Sequence, residues 1–131
     1  MSKYFLDANI ILDLIDNDRG NIHLTRAFVK EAITQGNELC TSCDIFTTVY
    51  YVASKKLSSQ NIIKELEKLL TFIDVIAIDI VTIKAAMNLM GEKDDFEDLL
   101  QYVCALHSHS NLIVTNDKNF YRGEIELRSL K

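Results

Sequence analysis

Short apolar runs, each closed by polar residues, alternate with longer stretches of helical spacing along the whole chain. "KYFLDAN" leads into "IILDLID" and "HLTRAFVKEAITQG", and "NELCTS" into "DIFTTVYYVASKK" and "SSQNIIKELEKLLTFI". "DVIAID" leads into "IVTIKAAMNLM", and the strong helix of "DDFEDLLQYVCALHSHS" is followed by "NLIVTND". Strands that are apolar throughout have both faces covered, which happens when helices cross over between parallel strands. The pattern therefore predicts an α/β layer fold with a mostly parallel sheet. Gly36 and Gly91 stop two of the helices, and the serines of "SSQ" start another. "EIELRSL" alternates and predicts an added edge strand. The stretch "DIFTTVYYVA" pulls both ways. Its Thr, Val and Tyr content favours strand, while the spacing of Ile45, Val49 and Val52 predicts a helix, the reading adopted.

A chain of 131 residues with 48% hydrophobic composition sustains one core and is too short for two, so residues 1–131 read as a single domain. No segment reaches the run of about 18 apolar residues needed to span a membrane, and the N-terminus carries no signal-peptide core. A soluble, cytoplasmic protein is expected. The formal net charge of -5 leaves no overall basic footprint, so a nucleic-acid site would have to be a basic rim on an acidic body. Cys40, Cys43 and Cys104 are odd in number, which argues against a disulfide framework. The absence of proline excludes a site built on a cis-proline, and with it a thioredoxin-like reading of "CTSC". Nothing is spaced to complete a zinc half-site, so all three thiols are expected to be buried and inert. His107 and His109 in "HSH" do not face each other on a helix and read as cations near a helix C-terminus.

The apolar runs of "YFLDAN" and "LIVTND" end in Asp7 and Asp117. In an open parallel sheet, ligands bind beyond the carboxyl ends of the strands where strand order reverses, so two central neighbours would bring these aspartates together. Asp95 and Asp98, three apart near the start of the late helix, share a face that points at the same crevice. Local roles compete with this reading: Asp94 with Glu97 is a capping box, Asp7 a turn-former and Asp117 an Asx-turn residue. Gathered carboxylates raise one another's pKa unless a cation neutralises them, and such hard oxygen donors suit Mg²⁺ or Mn²⁺. A response-regulator receiver would need an acidic pair after the first strand and a lysine ending a late one. A haloacid-dehalogenase phosphatase would need an aspartate where Asn9 stands. Neither matches.

"FLDANIILDL", "DFEDLLQYVCAL" and "LIVTNDKNF", in that order over almost the whole chain, resemble the signatures of PIN-domain ribonucleases, the VapC-type toxins of bacterial toxin-antitoxin systems. The resemblance implies a PIN-like three-layer fold with a central, mostly parallel twisted sheet flanked by helices. It also implies hydrolysis of RNA phosphodiester bonds with Mg²⁺ or Mn²⁺, a cognate antitoxin as partner, and a homodimer. Asp7, Asp98 and Asp117 would be catalytic, with Asp7, Asp95, Asp98 and Asp117 as metal ligands. Asn9, Thr48, Asp95, Thr115 and Asn116 would support them. One departure bears on activity. Where the family carries the glutamate of "TSxxxxxE", "TSCDIFTTVYY" has Thr48, so Asp95 or a water held by Thr48 would have to complete the site. The alternative implied by that loss is a PIN-fold RNA-binding or protein-interaction module without hydrolysis. Lys55, Lys56, Lys118 and Arg122 supply a rim for a phosphate backbone, although paired lysines after a helix also answer its dipole. Tyr50, Tyr51 and Tyr121 either stack on bases or fill the core.

Overall fold

The computed structural model describes residues 1–131. Five strands, β1 (Lys3–Leu6), β2 (Glu38–Ser42), β3 (Asp74–Ile76), β4 (Leu112–Val114) and β5 (Glu126–Arg128), form one sheet in the order β3-β2-β1-β4-β5. Every neighbouring pair is parallel, with Phe5 opposite Cys40 on one side and Ile113 on the other. Parallel neighbours need crossovers, and six helices supply those up to β4: α1 (Ala8–Ile15), α2 (Ile22–Thr34), α3 (Ile45–Ala53), α4 (Ser59–Leu69), α5 (Ile80–Leu89) and α6 (Phe96–His107), while residues 115–125 join β4 to β5 without a helix.

Alternate residues of a strand face opposite ways, and here both ways lead to helices. Leu6, Leu39, Leu112 and Val114 join Ile10, Ile11, Val49, Ile62 and Leu66 in one core beneath the first four helices. Phe5, Cys40 and Ile113 join Ala86, Leu99, Val103 and Phe120 in a second core beneath the last two. The arrangement is a three-layer α/β fold, and the central strands are apolar throughout because neither face meets water. "DIFTTVYYVA" is helical, and its Ile45, Val49 and Ala53 are buried. The predicted edge strand is β5, which runs parallel to β4 at the margin of the sheet.

Local chemistry sets the helix ends. Ser58 Oγ accepts from the Asn61 amide at 3.2 Å to start α4, and Asp79 caps α5 in the same way. Gly36, at φ 79°, closes α2 in the left-handed conformation that glycine adopts without strain. His109 plays that part after α6 at φ 61°, where its amide donates to Leu106 O and that of Ser110 to Ala105 O. His107 therefore ends the helix while His109 lies beyond it. Cys40 and Cys104 are buried as expected, but Cys43 is exposed, because β2 ends at Ser42 and the next residue turns out of the sheet. No helix is long and apolar enough to cross a membrane.

Chain direction across the sheet fixes where a site can form. From β1 the chain steps outward to β2 and β3, then returns to the opposite side of β1 to lay down β4 and β5. Strand order reverses between β1 and β4, so the crevice opens beyond their carboxyl ends.

Candidate active site

Asp7 follows β1 in extended conformation and caps α1, its Oδ1 accepting from the Ile10 amide at 3.1 Å. The Asp7 amide donates to Val114 O at 3.2 Å, and the Thr115 hydroxyl donates to Asp7 Oδ2 at 2.5 Å. Thr115 Oγ1 also accepts from the Asp117 amide at 3.1 Å, so one hydroxyl links the acids that end the two central strands. Asp117 Oδ1 accepts from the Asn119 amide at 2.9 Å, the Asx turn expected of it. Asn116 Oδ1 accepts from Ser129 Oγ and the Leu130 amide, which holds the tail against this end of the sheet.

The third acid arrives on α6. The anticipated capping box of Asp94 and Glu97 does not form, because the helix starts one residue later than that box requires. Asp95 is the N-cap, its Oδ1 accepting from the Asp98 amide at 3.0 Å, while Asp94 Oδ2 accepts from the Gly91 amide. Asp95 is thus an exposed capping residue beside Asp98, and one of its oxygens is already engaged.

The acids at this end of the sheet act on one another electrostatically. Burial, followed by the charge of Asp117, raises the Asp7 carboxyl from 3.8 to about 6 against the lowering effect of its hydrogen bonds. Burial raises Asp98 to about 7, helped by the charges of Asp95, Asp117, Asp7 and Glu97. The side-chain charges that shift the two carboxyls most are those of other acids. No three His, Cys, Asp or Glu side chains stand at ligating spacing, and Asp7, Asp95 and Asp117 each turn an oxygen toward a backbone amide or a hydroxyl. The donor set fits a hard divalent cation nonetheless. Its atoms are carboxylate oxygens whose mutual repulsion such an ion would relieve.

Two acids escaped the sequence reading. Thr48 Oγ1 on α3 donates to Glu97 Oε2 on α6 at 3.3 Å, so this position has a carboxylate beside it after all, delivered from another helix. Burial, then the charges of Asp44 and Asp95, push Glu97 up, while the Thr48 bond opposes them. Asp44 stands just past β2. Ser42 donates to one of its oxygens, and the other, Oδ2, is buried without a partner. Adjacency to Asp98 was the signal for Glu97, and position at a strand end the signal for Asp44.

The proposed cations separate. Lys118 and Arg122 line a cavity of about 180 Å³ with Thr115, Asn116 and Asp117. Lys55 and Lys56 are not brought there. Lys56 Nζ lies 4.0 Å from Asp16 Oδ2 at the far end of α1, about 13 Å along the helix from Asp7 at 1.5 Å per residue. Lys55 sits over the exposed Tyr51 ring at 5.1 Å. Tyr50 is exposed, whereas Tyr121 packs edge-on against Tyr102 at 4.8 Å in the second core. Asn9 is exposed on the first turn of α1.

Residues 4–125 match the family model of the PIN domain. The chain belongs to the PIN-domain family. This PIN domain is 34% identical over 128 residues to Ribonuclease VapC1 of Aquifex aeolicus (strain VF5), covering 95% of the chain and 88% of that relative. Its fold resembles the crystal structure of VapBC2 from Rickettsia felis bound to a promoter DNA fragment, with a TM-score of 0.72 at 17% identity over 97% of this chain and 98% of that one. It also resembles VapC20 of Mycobacterium tuberculosis, a sarcin-ricin loop cleaving toxin, with a TM-score of 0.73 at 11% identity over 89% and 92% of the two chains. At such identities the solved structures speak for the fold of the PIN domain alone.

Proposed function

We propose that the chain is a Mg²⁺- or Mn²⁺-dependent ribonuclease that hydrolyses RNA phosphodiester bonds in the cytoplasm, as a toxin restrained by a cognate antitoxin. What supports this reading is that Asp7 and Asp117 follow the two strands at the switch point of a parallel sheet, and that the charges of both act on Asp98, whose carboxyl is raised to about 7 as that of Asp7 is to about 6. The relative named a ribonuclease supports the reaction, and the fold shared with VapBC toxin-antitoxin structures supports the partner.

Within this reading Asp7, Asp98 and Asp117 hold the cation, and Asp95 and Glu97 flank it from α6. A bound divalent ion supplies Lewis acidity and offsets the charge that develops on the phosphate. Asp7 is fixed by Ile10 and Thr115, and the hydroxyl of Thr115 also sets the Asp117 turn, so two ligands share one positioning residue. Lys118 and Arg122 bind the phosphate backbone beside Asp117. A homodimer belongs to the same reading, and the exposed Ile80, Val81 and Met87 of α5 give it an apolar surface.

The test is cleavage of single-stranded RNA by the purified chain with Mg²⁺ or Mn²⁺, with EDTA, and after Asp7→Asn or Asp98→Asn. Cleavage that needs the metal and falls at least a hundredfold in either variant is expected. An inactive wild type, or full activity in both variants, refutes the proposal.

A further inference from the structure

A second cavity opens on the other side of Asp117, with a volume of about 320 Å³ and no hydrophobic residue in its lining. Asn9, Asn21, Asn116, Arg19 and Lys131 present amides and cations to it, and Asp13 stands at its wall. Asp13 occupies the same face of α1 as Asn9, four residues on, and its side chain is 3% exposed. Both of its oxygens are engaged: Oδ1 accepts from Arg19 Nε at 2.7 Å and Oδ2 from Thr25 Oγ1 at 2.9 Å. The bond to Arg19 uses Nε and leaves the terminal nitrogens, with four N–H groups, for the cavity. A buried carboxylate thus fixes the guanidinium without occupying the fork that recognises phosphate. The start of α2 adds to the same environment, since Asn21 precedes its first turn and makes no side-chain cap bond.

Charge decides what such a cavity takes. Asp13 and Asp117 offset Arg19 and Lys131, so the cavity carries no positive excess of its own. A cation at the acid cluster would draw on the charge of Asp117, and the fork of Arg19, bound to Asp13 through Nε alone, is the group left to meet an anion. We propose that this cavity is a phosphate subsite for the RNA strand, one step along the backbone from the bond that is cut, with Arg19 as the clamp and Asp13 as its positioning residue. The inference rests on the ribonuclease reading for the identity of the anion. Together with the Lys118 and Arg122 cavity, it puts a phosphate contact on each side of Asp117.

The test is binding of a short fluorescein-labelled single-stranded RNA of mixed sequence to the full-length chain in Ca²⁺, read by anisotropy across a salt series, with cleavage in Mn²⁺ measured in parallel. Arg19→Gln should weaken binding about tenfold, the loss of one charge-assisted contact. It should also lower the slope of log affinity against log salt by about 0.7, the value for one single-strand phosphate. Arg19→Lys should restore the slope but only part of the affinity, because the fork is lost. Lys64→Gln, an equal loss of charge on the outer side of α4, should change neither. Removing Arg19 leaves Asp13 buried without its ion pair, so the double variant Asp13→Asn/Arg19→Gln, which pairs two amides, repeats the measurement in a chain that keeps its hydrogen bond. Unchanged affinity and slope in the folded variants overturn the subsite, and so does a wild type that binds no RNA. Cleavage by the wild type together with unaltered binding by the variants sinks the subsite and leaves the nuclease standing. Binding through Arg19 without cleavage does the reverse.

Discussion

Asp7→Asn should make the metal-free chain more stable at neutral pH while destroying its activity. Asp7 is 3% exposed, and its carboxyl is raised from 3.8 to about 6. At about 1.36 kcal/mol per unit, ionising it in the folded chain costs about 3 kcal/mol more than in the unfolded one. The sign follows from proton binding. The folded chain holds this proton over a range where the unfolded chain has released it, so the stability tied to Asp7 is complete below about pH 4. It declines as the pH rises through about 6 and is flat above. Asparagine has no charge to form. Its oxygen can accept from the Ile10 amide as Asp7 Oδ1 does, and its NH₂ can face Thr115, whose hydroxyl accepts as readily as it donates. A gain of about 1 to 3 kcal/mol at pH 8, shrinking toward zero near pH 4, is expected after allowing for the rearranged bond to Thr115. Urea denaturation of both proteins in EDTA at several pH values measures it. A difference between variant and wild type that does not change with pH would show that burial of this carboxylate carries no charge penalty, and the electrostatic account of the site would be wrong.

Two further outcomes test the site and its surroundings. Divalent affinity should depend on pH, because a bound ion displaces the protons of Asp7 and Asp98, held at about 6 and about 7. Calorimetric titration with Mn²⁺ should give a log affinity that climbs steeply below pH 6, more slowly to pH 7, and levels above; a flat profile excludes these two as the ligands. Gly123→Ala places a Cβ 2.3 Å from the Tyr102 ring, whose hydroxyl accepts from the Glu124 amide at 2.9 Å. The ring must shift and the approach to β5 with it, for an expected loss of about 1 to 3 kcal/mol in urea denaturation; a loss below about 0.5 kcal/mol shows that the contact relaxes freely.

Much of the fold was legible because burial on both faces writes strands as unbroken apolar runs. Their ends could therefore be located, and with them Asp7 and Asp117. The pairing of the two needed one more inference, that their strands are neighbours at the reversal of order, and the sheet bears it out. What stayed hidden depends on contacts that spacing does not encode. Glu97 meets Thr48 across 49 positions, so a glutamate absent from α3 gave no hint that α6 would bring one. Asp44 lies in a string whose Cys40 and Cys43 point to redox or zinc chemistry, and its unpartnered buried oxygen is visible only in the fold. The helix start slipped by one residue, from Asp94 to Asp95, because either aspartate satisfies the cap rule and only the backbone chooses between them. Arg19 lies in the turn between two helices, where no periodicity marks it, and its significance comes from the buried Asp13 that holds it.

The charge of the chain also limits how it can hold RNA on the proposed reading. A net charge of -5 repels a polyanion at long range, but screening confines that repulsion to about 10 Å at ordinary salt. Attraction must then be local, and Lys118 and Arg122 on one side of Asp117 with Arg19 and Lys131 on the other are the groups placed to supply it. Lys55 and Lys56, which would have extended the rim, are engaged elsewhere: Lys56 lies near Asp16 at the far end of α1, and Lys55 over the Tyr51 ring of α3. Contacts so few and so close to the acids grip a short stretch of backbone rather than a long groove. Discrimination between RNAs must then come from whether a strand can bend its phosphates into both cavities at once. That favours single-stranded or loop segments over a stiff duplex.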